Sequence, residues 1–124
     1  MRLCEADIGQ IVRPTEGDFF QVQADFGYSP ALRDELERTV FKPGRESVTS
    51  RALLERKPVH ILDAQTDPEY KLSKAQQIGG YRTMLAAPLL REGAPIGVFG
   101  LSRNVVKPFT DRQTELLTTL PTRR

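Results

Sequence analysis

The stretch from Tyr81 to Arg103, YRTMLAAPLLREGAPIGVFGLSR, restricts the possible folds more than any other. Thr83 to Leu90 is one apolar run and Ile96 to Leu101 is a second. Arg91-Glu92-Gly93-Ala94-Pro95 links them with the Gly and Pro of a hairpin loop. Neither run alternates. Thr83, Leu85, Ala87 and Leu89 fall on one face, while Met84, Ala86, Pro88 and Leu90 fall on the other. Strands that are apolar on both faces are covered on both faces. The hairpin therefore belongs in the middle of a sheet, with something packed above and below.

The rest of the chain supplies neighbours for it. Asp7 to Arg13 reads as a first strand, and Pro14-Thr15-Glu16-Gly17 as a turn. Phe19 to Phe26 reads as a second strand, with Phe20, Val22, Ala24 and Phe26 on one side and Gln21, Gln23 and Asp25 on the other. That alternation is the mark of a half-exposed edge strand. Ser29-Pro30 starts a helix whose apolar stripe is Leu32, Leu36 and Val40, with Asp34 and Arg38 as an outer i,i+4 pair. A second helix runs from about Ser47 to Arg56 and stops at Lys57-Pro58. Val59 to Leu62 is a short strand, 63–68 a turn-rich loop, and Glu69 to Ile78 a short polar helix or lid. Thr110 and Gln113 form a capping box for a last helix bearing Leu116, Leu117 and Leu120. Met1 to Ala6 has helical character but is too short to stand alone. The order β-β, helices, β, helix, β-β, helix makes an α+β domain with an antiparallel sheet of about five strands and helices on both faces.

Size and charge narrow the function. A chain of 124 residues fits one domain, spanning 1–124. Its 18 basic residues are scattered, giving a net charge of +2 without the clustering that nucleic acid requires. No apolar run approaches the ~20 residues of a membrane helix, and no secretory segment follows Met1. A soluble, cytoplasmic protein is the expectation. Its single cysteine, Cys4, allows neither an internal disulfide nor a multi-cysteine metal site.

The hairpin Tyr81–Leu101, the segment Gly44–Asp63 (GRESVTSRALLERKPVHILD) and the helix start Phe109–Leu117 (FTDRQTELL) together resemble GAF domains. The likeness is strongest to those of bacterial sensor histidine kinases and related signalling proteins. The resemblance implies strand order 2-1-5-4-3, terminal helices on one sheet face and a small-molecule pocket on the other. It also implies dimerisation through the terminal helices, and a histidine kinase or other output partner in a two-component system. Here both terminal helices are short and no output domain follows, as expected of a sensor fragment or of a domain working in trans. The Asn-Lys-Phe-Asp-Glu set of cyclic-nucleotide-binding GAF domains is not found.

Candidate pocket residues are Phe26, His60, Tyr70, Tyr81, Met84, Ala86 and Phe99. Met84 or Phe99 would form the pocket floor, and each of the apolar ones could equally be core. His60, the only histidine, lies between Val59 and Ile61 and faces away from both. It lines the pocket, serves as an axial haem ligand, or is simply hydrogen-bonded in a strand; metal chemistry needs more than one such ligand. Asp63, Asp67 and Glu69 could hold a cation, but their Asp-Pro setting favours turn chemistry. Ser47, Thr49, Ser50, Arg45 and Arg51 could receive an anion at a helix start, or could merely cap and solvate. Cys4 is a redox or attachment site or, more simply, a packed thiol. No nucleophile–base pair, phosphate-cradling loop or carboxylate dyad stands out. No catalytic, metal or cofactor site is expected. The sequence thus points to a sensory domain binding an unidentified small molecule. The alternatives are a dimerisation module with a collapsed pocket and a small GAF-like enzyme.

Overall fold

The computed structural model describes residues 6–17 and 19–119. The helical fragment expected around Leu3 and Cys4, and the helix end at Leu120 and Pro121, lie outside the described residues. Five strands form one antiparallel sheet: β1 (Ile8–Pro14), β2 (Phe20–Phe26), β3 (Val59–Ile61), β4 (Thr83–Arg91) and β5 (Ala94–Arg103). The strand order is β2-β1-β5-β4-β3. Four helices accompany it: α1 (Pro30–Glu37), α2 (Val48–Glu55), α3 (Ser73–Gly79) and α4 (Asp111–Thr119).

The hairpin at Tyr81–Arg103 becomes β4 and β5, and Thr83 to Leu89 of β4 are buried without interruption. Its turn is tighter than the five-residue link read from sequence. Only Glu92 and Gly93 turn the chain, at φ 52° and 83°. Two successive positive φ values make the type I′ turn, whose twist matches that of the flanking strands. Ala94 and Pro95 join β5, where a bulge opposite Leu89/Leu90 takes up the extra residue. Pro88 lies beyond Ala86, the last β4 residue paired to β3, so this Pro occupies a stretch with one neighbouring strand.

Local signals start and stop the helices. The Ser29 hydroxyl accepts from Leu32 N–H at 3.2 Å, with Pro30 in the first turn. Ser47 caps α2 by accepting from Ser50 N–H at 3.0 Å. The capping box of α4 is reciprocal: Gln113 N–H donates to Thr110 Oγ1 at 3.0 Å, and Thr110 N–H donates to Gln113 Oε1 at 2.8 Å. α1 ends at Glu37, a turn short of the expected stripe, so Val40 is exposed while Leu32 and Leu36 are buried. The expected polar helix at Glu69–Ile78 starts later, at Ser73, leaving 69–72 irregular.

Directly paired residues share a face of the sheet. Ile8, Gln10, Val12, Val98, Gly100, Ser102, Met84, Ala86, Val59 and Ile61 therefore lie on one face. Gly9, Ile11, Phe99, Leu101, Leu85, Ala87 and His60 lie on the other. The first face carries the larger core, completed by Leu32 and Leu36 of α1 and by Val48, Ala52 and Leu53 of α2. The second carries a smaller core in which Leu85, Ala87 and Leu101 meet Phe109 and Leu117 from the start and middle of the α4 region.

β2 departs from its expected alternation. A bulge between Ile11 and Val12 sets Val12 opposite Val22 but Ile11 opposite Ala24. One residue of β2 is thereby skipped, and every later side chain changes sides. Phe20 and Val22 stay with the larger core. Ala24 and Phe26 turn to the α4 face, where the Phe26 ring covers Gly9 so closely that a Cβ there would lie 2.1 Å from it.

Candidate functional site

Between the larger-core face and α1, α2 and the 70–72 segment lies a cavity of about 30 Å³. Ile8, Met84 and Gly100 give it an apolar floor, and Leu36, Phe41 and Val48 an apolar wall. The polar groups come from separate elements: Gln10 from β1, Tyr28 after β2, Ser47 and Thr49 from α2, Tyr70 before α3, Tyr81 before β4, and Ser102 from β5. Tyr28, Tyr70 and Tyr81 are all the tyrosines the chain has.

These groups are already bonded to one another. The Tyr28 hydroxyl donates to Gln10 Oε1, and Gln10 Nε2 donates to Thr49 Oγ1 at 3.3 Å. One chain of hydrogen bonds thus joins β2, β1 and α2 across the cavity. The Tyr70 and Tyr81 hydroxyls meet at 2.5 Å, and their rings pack edge to face with centroids 6.2 Å apart. Burial disfavours each phenolate. It raises Tyr28 and Tyr70 well above the ordinary tyrosine value and pushes Tyr81 up to about 12.

Arginine–carboxylate pairs fix the segment that carries Tyr70. Arg51, only 4% exposed, grips Asp67 with two bonds of 2.7 and 3.1 Å. Its Nε donates to the Arg45 carbonyl at 2.8 Å. Arg82 holds Asp63 at 2.7 and 2.8 Å. Arg45 bridges Glu55 at 2.7 Å and Glu69 at 2.9 Å. The guanidiniums hold Asp63, Asp67 and Glu69 below the usual carboxylate range. Asp63 and Asp67 also accept from Gln65 N–H and Glu69 N–H, which is the expected turn chemistry. Among the described residues no group of three or more His, Cys, Asp or Glu side chains is placed to hold a metal ion. The hydroxyls and arginines read as an anion site are committed otherwise: Ser47 caps α2, and both arginines pair with carboxylates.

The structure brings together three of the sequence candidates, Tyr70, Tyr81 and Met84, on the cavity wall. Ala86 is fully buried on the same sheet face but does not border the cavity. Phe26, His60 and Phe99 lie on the opposite face. The β2 bulge sends Phe26 there, and cross-strand pairing puts Phe99 opposite Ile11 and Ala87. His60 pairs with Leu85 and accepts from Phe109 N–H through Nε2 at 3.2 Å, its ring 5.8 Å from that of Phe109. Partial burial there, and the nearby Arg103 cation, lower its pKa. Arg103, 3% exposed, stacks 4.0 Å above the Phe109 ring and donates to the Lys107 and Pro108 carbonyls. Sequence reading missed Gln10, Tyr28 and Ser102, and took Ser47 and Thr49 for part of an anion site rather than for this cavity. Gln10 carried a usable signal, a polar residue on the apolar face of a strand next to the central hairpin.

The family model of the GAF domain matches residues 1–121. The chain belongs to the GAF domain family. GAF domains are generally regulatory or sensory parts of signalling proteins. Solved structures share the fold. The GAF domain/HD domain protein from Geobacter sulfurreducens superposes with a TM-score of 0.80 at 14% identity, covering 96% of this chain and 77% of that one. A domain of a two-component sensor histidine kinase protein from Sinorhizobium meliloti superposes with a TM-score of 0.71 at 19% identity, covering 92% and 72%. Free methionine-R-sulfoxide reductase from Neisseria meningitidis, solved with its substrate, superposes at 0.74 and 17% identity, covering 93% and 62%. GAF-like folds thus include enzymes. No curated protein matches the chain. No described helix is long and apolar enough to cross a membrane.

Proposed function

We propose that this GAF domain is a non-catalytic sensory module that takes a small molecule into the cavity under α1 and α2 and signals through its terminal helices. The observation that carries this reading is the convergence of seven polar side chains, from six parts of the chain, on one apolar-floored cavity. An apolar wall with a few converging polar groups is what orients a small ligand. β4 links that cavity to α4: Met84 faces the cavity, and its neighbour Leu85 lies in the core that holds Phe109 and Leu117. A shift of β4 on the cavity side therefore reaches α4 directly, and a kinase or other output partner would read it there.

Thermal-shift screening of a metabolite panel tests the proposal. A compound binding only the native state at 100 times its Kd stabilises it by about 2.7 kcal/mol. Gly100→Leu is the control, because a side chain there grows from the cavity floor towards Gln10, whose Cγ would lie 3.5 Å from the new Cβ. The ligand stabilises the native chain and loses its effect on Gly100→Leu. A panel in which nothing stabilises the native chain counts against ligand sensing. One observation favours a second reading, the dimerisation module: the cavity as folded is far below the ~300 Å³ of an ordinary ligand pocket. Leu116, 47% exposed on α4, would then lie in the interface. Sedimentation of the chain and of Leu116→Glu separates the two readings.

A further inference from the structure

The 30 Å³ cavity is not isolated. On the outer side of Tyr70 lies a crevice of about 180 Å³ between the 64–67 loop and α3, lined by Ala64, Gln65, Asp67, Ser73, Gln76 and Gln77. Tyr70 borders both spaces. It is the one residue common to both linings, and its hydroxyl is tied to that of Tyr81. The turn before it is held by Asp63, Asp67 and their arginines, while at Tyr70 itself the N–H reaches the Asp67 carbonyl at a long 3.4 Å and the next N–H, of Lys71, donates to the Glu46 carbonyl at 2.8 Å.

We propose that Tyr70 is the gate of the cavity and the α3 crevice its vestibule, and that the joined space takes an uncharged molecule bearing hydrogen-bond donors and acceptors. The proposal rests on the small-molecule reading above and supplies its entry route and ligand class. Swinging the Tyr70 ring aside breaks one hydroxyl–hydroxyl bond and leaves the sheet intact. It joins an inner chamber with an apolar floor, Tyr81 and Gln10 to an outer chamber of carboxamides and a serine. The ligand class follows from charge. Among the described residues, Asp67 is the only carboxylate or cation bordering either space, and Arg51 already neutralises it. Two charges near the inner chamber are likewise paired, Asp25 with Arg33 and Glu35 with Arg38. An anion or cation entering here would leave water without a counter-charge, which a buried charge requires. Carboxamides and hydroxyls offer a neutral guest both donors and acceptors.

The side chain of the gate itself is the probe. In Tyr70→Ala the missing ring leaves a space of its own shape, and p-cresol is that ring as a free, uncharged molecule. p-Hydroxybenzoate has the same ring with a carboxylate. By nuclear magnetic resonance, p-cresol added to Tyr70→Ala shifts the Met84 methyl signal of the inner chamber and the Gln76 side-chain amide of the outer one, with a single Kd. It binds at least tenfold tighter than p-hydroxybenzoate, and it does not shift Met84 in the native chain. Should Tyr70→Ala fail to fold, Tyr70→Val carries the same comparison. Signals shifting in only one chamber, or equal affinity for the charged ring, overturn the proposal. The outcome is independent of the metabolite screen, since p-cresol reports on the joined space whether or not a natural ligand is found.

Discussion

Replacing Asp67 by Asn should cost the domain about 3 kcal/mol of stability, and the size follows from three bonds. The Asp67 carboxylate accepts from Arg51 Nη2 at 2.7 Å, from Arg51 Nη1 at 3.1 Å and from Glu69 N–H at 2.9 Å. Asparagine keeps one oxygen and turns a donating NH₂ towards a guanidinium that cannot accept. Arg51 then keeps its neutral bond to the Arg45 carbonyl but loses its counter-ion while still buried. Removing one partner of a buried pair costs about 3–5 kcal/mol, because the other charge is stranded. The Asp67 side chain is 21% exposed, so water reaches the site from one side and the low end applies. Against a typical total of about 5–15 kcal/mol, that is a large loss.

Urea unfolding followed by circular dichroism measures it, and the partner variants give the discriminating result. Arg51→Met also strands its partner, but Asp67 is nearer water, so the cost should be smaller. The double variant Arg51→Met with Asp67→Leu leaves no charge behind and should be more stable than Asp67→Asn alone. If Asp67→Asn costs under about 1 kcal/mol, the pair behaves as an ordinary surface bridge, and the reasoning from burial fails. Acid supplies a second check. Arg51 lowers the Asp67 pKa in the folded state, so the pair's contribution is complete above the unfolded value of about 3.9. It is lost as pH falls below that value through the folded one. In Asp67→Asn this component of the acid transition disappears.

With no tryptophan and all three tyrosines on the cavity, absorbance at 295 nm reads the site alone. At pH 10 the folded chain should show almost no phenolate, whereas the urea-unfolded chain shows about half. Because the folded pKa values are raised, the tyrosines' contribution to stability is complete below pH ~10 and is lost as pH climbs towards the folded values, Tyr81 leading at about 12. The single histidine should titrate below the ordinary ~6.5 by nuclear magnetic resonance, since partial burial and the nearby Arg103 cation disfavour its charged form; a proton on Nε2 also breaks the bond it accepts from Phe109 N–H. Its contribution is present above ~6.5 and fades as pH falls through the lowered value, loosening the start of α4 first. Thr110→Ala should cost about 1 kcal/mol and raise amide exchange in the first turn of α4, by removing one half of the capping box.

Features written in neighbouring residues are legible from the sequence. Ser29-Pro30 and Thr110 with Gln113 act within four residues and cap their helices as read, and of the two roles open to Ser47 the structure shows the cap. The unbroken apolar runs of the hairpin place β4 and β5 inside the sheet, because burial on both faces leaves no other arrangement. Features set by pairing at a distance are not legible in this way. Asp63 and Asp67 have turn chemistry within two residues, but their arginines stand 19 and 16 positions away. Phe26 reads as the partner of Phe20 and Val22 because alternation assumes an uninterrupted ladder. The bulge that breaks it arises from the register against β1 and leaves no mark in the β2 sequence.

Met84 and Phe99 show the same limit within the central hairpin, and it bears on how such a domain would signal. Each strand's parity is plain from its own sequence, but whether Met84 and Phe99 share a face depends on the register between strands. That register sets Ala87 against Phe99 and Met84 against Ser102, so the two residues face opposite ways. The division is useful to a sensor. In β4, Met84 faces the cavity, Leu85 faces α4 and Ala86 faces α2, all within three residues. A strand packed to full density on both sides cannot shift under one layer without disturbing the other. On the proposed sensory reading, the two-faced hydrophobicity that fixes β4 in mid-sheet would also couple the cavity to α4, with no further element needed between them.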